Sequence, residues 1–385
     1  MRRLTNFRLP KPLNDSVNTN LWWLALDDHD RVLSVQPMAN GSAISGENWN
    51  GDWLSPMGID LQINGGLGLA FPELTTQNIP LLLKLLDQLW QDGVQAICPT
   101  LVSCGVAPLR QSLAVLRSAR GAHRLQRCEL LGAHLEGPFL SKARRGAHPQ
   151  EHLCTPSLKA LEERISGFES EITLMTLAPE LPGASEVIEQ LRALGIVACL
   201  GHSAADAEGS ALAFNQGVEM LTHSFNAMPG LHHRAPGPVG QACRHGQIAL
   251  GLIADGIHVD PTMAVLLQQL APEQLVLVSD SLAPYGMQEG NHHWDERVLL
   301  VKDGTCRLKD GTLAGSTLPL LEGSRRLACW SGEPAAAIWA TTMAPRRVLG
   351  ESHSVHELLI NQPLTDLLRW QWKADTADLI FKRAA

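Results

Sequence analysis

Four residues of the kinds that bind metals or move protons stand at the ends of apolar runs. Glu136 ends the run at 129–137 (ELLGAHLEG) and His202 ends 197–203 (VACLGHS). His223 lies in 220–227 (MLTHSFNA), and Asp280 ends 274–281 (QLVLVSDS). Gln62 and Asn64 close the run at 57–64 (MGIDLQIN), and His258 follows Asp255-Gly256 after 248–255 (IALGLIAD). His148 and Arg234 occupy loops containing Gly or Pro. One carboxylate and two imidazoles make a three-ligand site with an open position, suited to catalytic zinc or a similar divalent ion. An Asp beside that opening can take a proton from water. Taken singly, each residue has an ordinary explanation. A strand-end His can be satisfied in the core, and Glu136 can cap a helix or pair with a cation. Asp280-Ser281 can be an N-cap, and Arg234 a solvated surface charge. Their shared placement is what ordinary packing does not require.

The elements that must position these residues are the runs themselves. With 95–103 (QAICPTLVS) and 172–179 (ITLMTLAP) there are eight, short and continuously apolar, as parallel strands buried on both faces read. Helical patterns lie between them. Residues 77–92 end at Gly93, and 183–194 and 204–216 precede Gly195 and Gly217. This alternation is α/β and points to a (β/α)8 TIM-type barrel, whose strand ends converge on one rim. A doubly wound open sheet is the alternative. Polar residues at the ends of many different runs favour the barrel. Outside it, 21–26 (LWWLAL), 31–35 (RVLSV), 358–363 (LLINQP), 366–372 (DLLRWQW) and 378–382 (DLIFK) read as β pieces, after a helix near 334–349. The expected division is a catalytic barrel over 56–345, with 1–55 and 346–385 meeting in one small β-sandwich domain.

Composition narrows the function classes. Lys and Arg total 31 against 39 Asp and Glu, a formal charge of −8, which argues against a broad nucleic-acid surface. It leaves room for a small anion held by local cations. No apolar run approaches the ~20 residues that span a bilayer, and the start lacks the apolar stretch of a secretory signal. The eight cysteines form no CxxC pair and read as reduced core residues. The expectation is a soluble cytoplasmic protein without membrane or nucleic-acid partners. Gly65-Gly66 and Gly68 belong to no GxGxxG or GKS/GKT pattern, which argues against nucleotide binding. Trp22-Trp23 reads as core or dimer packing, His232-His233 as a solvated loop pair, and His292-His293 as a turn between β pieces.

The strings themselves resemble one family: IDLQINGG (59–66), HLEGPFL (134–140), KARRGAH (142–148), LAPE (177–180), GHSAA (201–205), THSFNAMPGL (222–231), RAPGPVG (234–240), IADGIHVDP (253–261), LVSDSLAP (277–284) and GTLAGS (311–316). They are similar, in order and over nearly the whole barrel, to the N-acetylglucosamine-6-phosphate deacetylases of the amidohydrolase superfamily. The resemblance implies metal-dependent hydrolysis of an N-acetyl group from an amino-sugar phosphate, releasing acetate. It implies Glu136, His202 and His223 as metal ligands, Asp280 as the acid/base, and His148 at the amide carbonyl. It implies Ala147, Asn226, Ala227, Arg234, His258 and Leu313-Ala314-Gly315 at substrate positions, and a homodimer with the phosphate-binding Arg and His near the subunit interface. Many superfamily members carry HxH at the end of strand one. Gln62-Ile63-Asn64 stands there instead, so one divalent ion per chain, Zn²⁺ or Fe²⁺, is expected. Pro56-Met57-Gly58-Ile59-Asp60 and Pro363-Leu364-Thr365-Asp366 also depart from the family pattern. The alternatives are another amidohydrolase, such as an N-acetylgalactosamine-6-phosphate deacetylase, or a catalytically silent sugar-phosphate-binding protein.

Overall fold

A computed structural model describes residues 2–15, 21–39, 44–294 and 297–385. Every one of the eight apolar runs overlaps a parallel strand, the sixth by only its first two residues: β1 (Gly58–Ile63), β2 (Val94–Val102), β3 (Ala133–Glu136), β4 (Ile172–Leu177), β5 (Val197–Leu200), β6 (Val218–Leu221), β7 (Ala249–Ile253) and β8 (Leu275–Val278). Each pairs in parallel with the next, from β1 to β8. The sheet curls back on itself rather than staying open. Asp280 N–H donates to the Gln62 carbonyl (2.9 Å), and Asn64 N–H to that of Ser281 (2.7 Å). The outcome is the TIM-type barrel, not the doubly wound sheet.

A helix follows each strand: α1 (Ile79–Gln91), α2 (Val106–Arg120), α3 (Leu158–Ile165), α4 (Ala184–Ala193), α5 (Ala207–Gln216), α6 (Gly237–His245), α7 (Pro261–Leu270) and α8 (Leu320–Ser331). The inward stripe of α1 is Leu82, Leu85, Leu86 and Leu89 at helical spacing. Asp206 caps α5 by accepting from Gly209 N–H, and Gly217 ends it. Between β8 and α8 the chain inserts an antiparallel four-stranded sheet: Gly290–Trp294, Arg297–Lys302, Thr305–Arg307 and Leu313–Ser316. His292-His293 is therefore in a strand and not a turn. It alternates exposed and half-buried positions against its partner strand.

Both chain ends meet in a separate, mainly antiparallel domain. Trp53–Pro56 pairs with Leu367–Lys373, which pairs with Asp378–Arg383. A second sheet holds Arg3–Phe7, Trp22–Leu26, Val32–Pro37 and Glu47–Asn48. Leu4, Phe7, Trp22 and Trp49 share one core with Leu359, Leu364 and Leu367, so Trp22 is a packing residue. The β reading of 358–363 holds only at Pro363, which bridges to Arg31. The others end a short helix (Val355–Leu359) and the turn after it. Ser354 and Glu357 form a capping box that starts this helix, a signal present in the sequence as S-x-x-E. The helix near 334–349 is two helices, Pro334–Thr342 and Ala344–Val348.

Just below the rim, polar side chains tie the barrel across its interior. Buried His134 contacts the Leu61 carbonyl (3.0 Å) and Thr176 Oγ1 (2.7 Å), and Thr176 reaches Thr222 Oγ1 at 2.6 Å. Gly201 passes between those threonines, where a Cβ would lie 2.8 Å from each. Gly201→Ala is therefore expected to destabilise the fold by about 1–3 kcal/mol through overpacking. Thermal unfolding checks this, and an unchanged midpoint would show that the layer has slack.

Candidate active site

The rim residues owe their aim to the way the strands end. Glu136 is the last residue of β3. His202, His223 and Asp280 each stand two residues past the end of β5, β6 and β8, with left-handed backbone at φ 48°, 30° and 47°. That kink turns a side chain over the barrel mouth, at a conformational cost only a functional site tends to retain.

The four converge. Glu136 Oε1 lies 3.2 Å from His202 Nε2 and 3.0 Å from His223 Nε2, and the two imidazole nitrogens are 3.1 Å apart. His202 Nδ1 is 2.9 Å from the Arg144 carbonyl, which can only accept, so Nδ1 carries the proton and Nε2 presents a lone pair. That lone pair faces the carboxylate oxygen at hydrogen-bond distance with no proton between them. Such a donor set fits a divalent cation, and the Arg144 carbonyl orients the ring as a supporting acceptor does for a metal-bound His. Burial lowers His202 to about 4, which keeps it neutral as a ligand must be. Burial opposes ionisation of Glu136, yet the imidazoles of His148, His202 and His223 around it hold it well below the ordinary carboxylate range.

His148 is a rival third donor. Its ligating atom lies with those of Glu136 and His202 inside a 4.8 Å span. Its Nε2, however, is 3.7 Å from Glu136, and from the other oxygen, Oε2. His148 Nδ1 accepts from Ser103 N–H (3.3 Å), which places the imidazole proton on Nε2. A protonated Nε2 is a donor and not a ligand, so the geometry favours His223 in the triangle.

Asp280 Oδ1 accepts from Asn64 Nδ2 (2.7 Å) and Gln62 Nε2 (3.2 Å), and the same Gln62 amide donates to Glu136 Oε1 (3.2 Å). One neutral amide thus bridges the two carboxylates. Burial first, then the Glu136 charge, raise Asp280 to about 7. A carboxyl near neutrality can both take and return a proton.

These side chains open into a cavity of about 370 Å³, also lined by Ala147, Asn226, Ala227, His258, Leu313 and Ala314. His258 Nδ1 contacts Asp255 Oδ2 at 2.6 Å, which fixes its ring. Two expected residues lie elsewhere. Gly315 packs on the Asp280 carbonyl, where a Cβ would sit at 2.7 Å. Arg234 is exposed in the turn closed by the His232–Ala235 bridge and does not line the cavity within one chain. Sequence reasoning missed Val102, Arg144, Leu282 and Trp294, which all line it. A larger hollow, about 870 Å³, opens at the opposite end, by the starts of β6, β7 and β8, and holds none of the site residues.

No family model matches the chain. It is 33% identical over 311 residues to the N-acetylglucosamine-6-phosphate deacetylase of Vibrio furnissii, covering 80% of this chain and 77% of that one. It is also 33% identical over 336 residues to the N-acetylgalactosamine-6-phosphate deacetylase of Escherichia coli O157:H7, covering 84% and 86%. Its fold superposes, at TM-score 0.80 and 27% identity over 100% of this chain and 98% of the other, on a mutant of N-acetyl-D-glucosamine-6-phosphate deacetylase from Mycobacterium smegmatis in complex with N-acetyl-D-glucosamine-6-phosphate. By sequence, by fold and by the residues gathered at its rim, the chain belongs to the N-acetylglucosamine-6-phosphate deacetylase family.

Proposed function

We propose that this protein hydrolyses N-acetylglucosamine 6-phosphate to glucosamine 6-phosphate and acetate. The observation that carries the reading is the Glu136–His202–His223 triangle, with edges of 3.0–3.2 Å, between Asp280 and a His148 that presents an N–H. A divalent ion held there, Zn²⁺ or Fe²⁺ by its N/O donor set, would supply a Lewis acid for the acetyl carbonyl and make water more acidic. Asp280 takes a proton from the attacking water and returns it to the sugar nitrogen, which then leaves as an amine. His148 Nε2–H donates to the carbonyl oxygen as negative charge builds on it. Ala147, Asn226, Ala227, Leu313 and Ala314 line the cavity that takes the substrate. Gln62 supports a single ion per chain, because its amide already bridges Glu136 and Asp280.

The 6-phosphate falls to His258 and Arg234. Arg234 stands outside the cavity of its own chain, which supports a homodimer in which it completes the partner's site. A charge-assisted contact to phosphate contributes about 1.5–3 kcal/mol, so Arg234→Ala lowers kcat/KM by roughly 10–150-fold. The loss is confined to the phosphorylated sugar. An equal loss on unphosphorylated N-acetylglucosamine would make Arg234 structural. No helix among the described residues is long and apolar enough to cross a membrane. All eight thiols are unpaired, which supports a reducing compartment, the cytoplasm.

The direct test is acetate release after reconstitution with one metal at a time, from N-acetylglucosamine 6-phosphate and from its galactosamine epimer. Preference for the first is expected. Absence of acetate from either sugar would overturn the reading.

A further inference from the structure

The active-site cavity shares a wall with a second hollow. Trp294 and Val102 line the catalytic cavity and also a side pocket of about 220 Å³. Trp294 is a firm partition, at 5% exposure. It pairs with Arg297 across the inserted sheet, and the Arg297 guanidinium lies 4.2 Å over its ring while donating to the Ala147 carbonyl. Behind it, Cys104, Gly105 and Pro108 at the start of α2 bound the side pocket.

The reacting groups determine which part of the substrate meets this wall. Ser103, next after Val102, orients His148, so His148 and Glu136 mark the place of the carbonyl near β2 and β3. Asn226, Ala227 and His258, beyond β6 and β7, lie on the far side of the cavity and take the sugar. The carbonyl carbon bears oxygen, nitrogen and one further group. With the oxygen at His148 and the nitrogen leading to the sugar, the acyl carbon chain is directed at Trp294 and Val102.

The geometry points to an acyl-length gate: Trp294 and Val102 stop the acyl chain at two carbons, and the room for a longer one already exists behind them. This rests on the deacetylase reading above. Longer acyl groups undergo the same balanced reaction. Water oxygen bonds to the carbonyl carbon, the C–N bond breaks, and the products are a carboxylate and a protonated amine.

The test compares wild type with Trp294→Ala and Val102→Ala on N-acetyl-, N-propanoyl- and N-butanoylglucosamine 6-phosphate, reading the free amine common to all three. An extra methylene against an apolar wall changes kcat/KM by about 10–200-fold. The butanoyl-to-acetyl ratio is therefore expected to rise by at least the lower figure in Trp294→Ala, and by less in Val102→Ala. Adding Cys104→Phe to Trp294→Ala refills the side pocket and should bring the ratio back down. Two folded variants with wild-type ratios overturn the gate alone. A ratio that stays high after refilling overturns the side pocket as the chain's destination. Absence of amine from the acetyl substrate with wild type overturns gate and deacetylase reading together.

Discussion

Asp280→Asn lowers kcat by about 10²–10⁴-fold, the worth of a positioned acid/base, while substrate binding is retained. The substitution keeps the shape, and an amide oxygen can still accept from Asn64 Nδ2 and Gln62 Nε2, which now hold Oδ1 at 2.7 and 3.2 Å. What it removes is a group that burial and the Glu136 charge have raised to about 7. Steady-state kinetics together with direct substrate binding separate the two effects. A variant with near-normal kcat would take Asp280 out of the mechanism.

Glu136→Gln removes the only carboxylate of the donor triangle. Changing a supporting residue around a bound metal typically costs about 10–100-fold in affinity, so loss of a direct donor should cost more than the upper figure. The variant should emerge from dialysis with almost no metal where the parent keeps one equivalent. Its melting temperature should also no longer rise when Zn²⁺ is added, since only metal bound to the folded state stabilises it. Those readouts do not depend on turnover. One dialysis-resistant equivalent in the variant would move the metal to another ligand set.

The barrel is legible because its strands are buried on both faces and so read as unbroken apolar runs, and because Glu136, His202, His223 and Asp280 interrupt those runs at the end that faces the mouth. Residues that act by shape are not. Trp294 belongs to a hairpin whose burial alternates weakly, and nothing in N-H-H-W says that its last member reaches another strand's site. Val102 and Leu282 look like any core aliphatic until the cavity is seen. Gly315 reads as a substrate contact because the string around it resembles a binding segment, whereas the structure packs it on the Asp280 carbonyl, where a Cβ would not fit. The helix at Val355–Leu359 escapes for a different reason. Its apolar content suits a strand as well as a helix, and only the Ser354–Glu357 box tells the two apart.

His202, His223 and Asp280 sit in left-handed backbone at the very positions where their side chains are needed. Each such residue costs on the order of 1–3 kcal/mol, and glycine would hold the same torsions almost without penalty. Heat resistance and turnover therefore pull in opposite directions at Asp280, which, unlike the two imidazoles, lends no donor to a metal whose binding would stabilise the fold. A library of this enzyme sorted only for survival at high temperature would drift there toward Gly or Asn and return sturdy, inert barrels. Directed evolution for a hotter process has to keep the substrate in the screen from the first round.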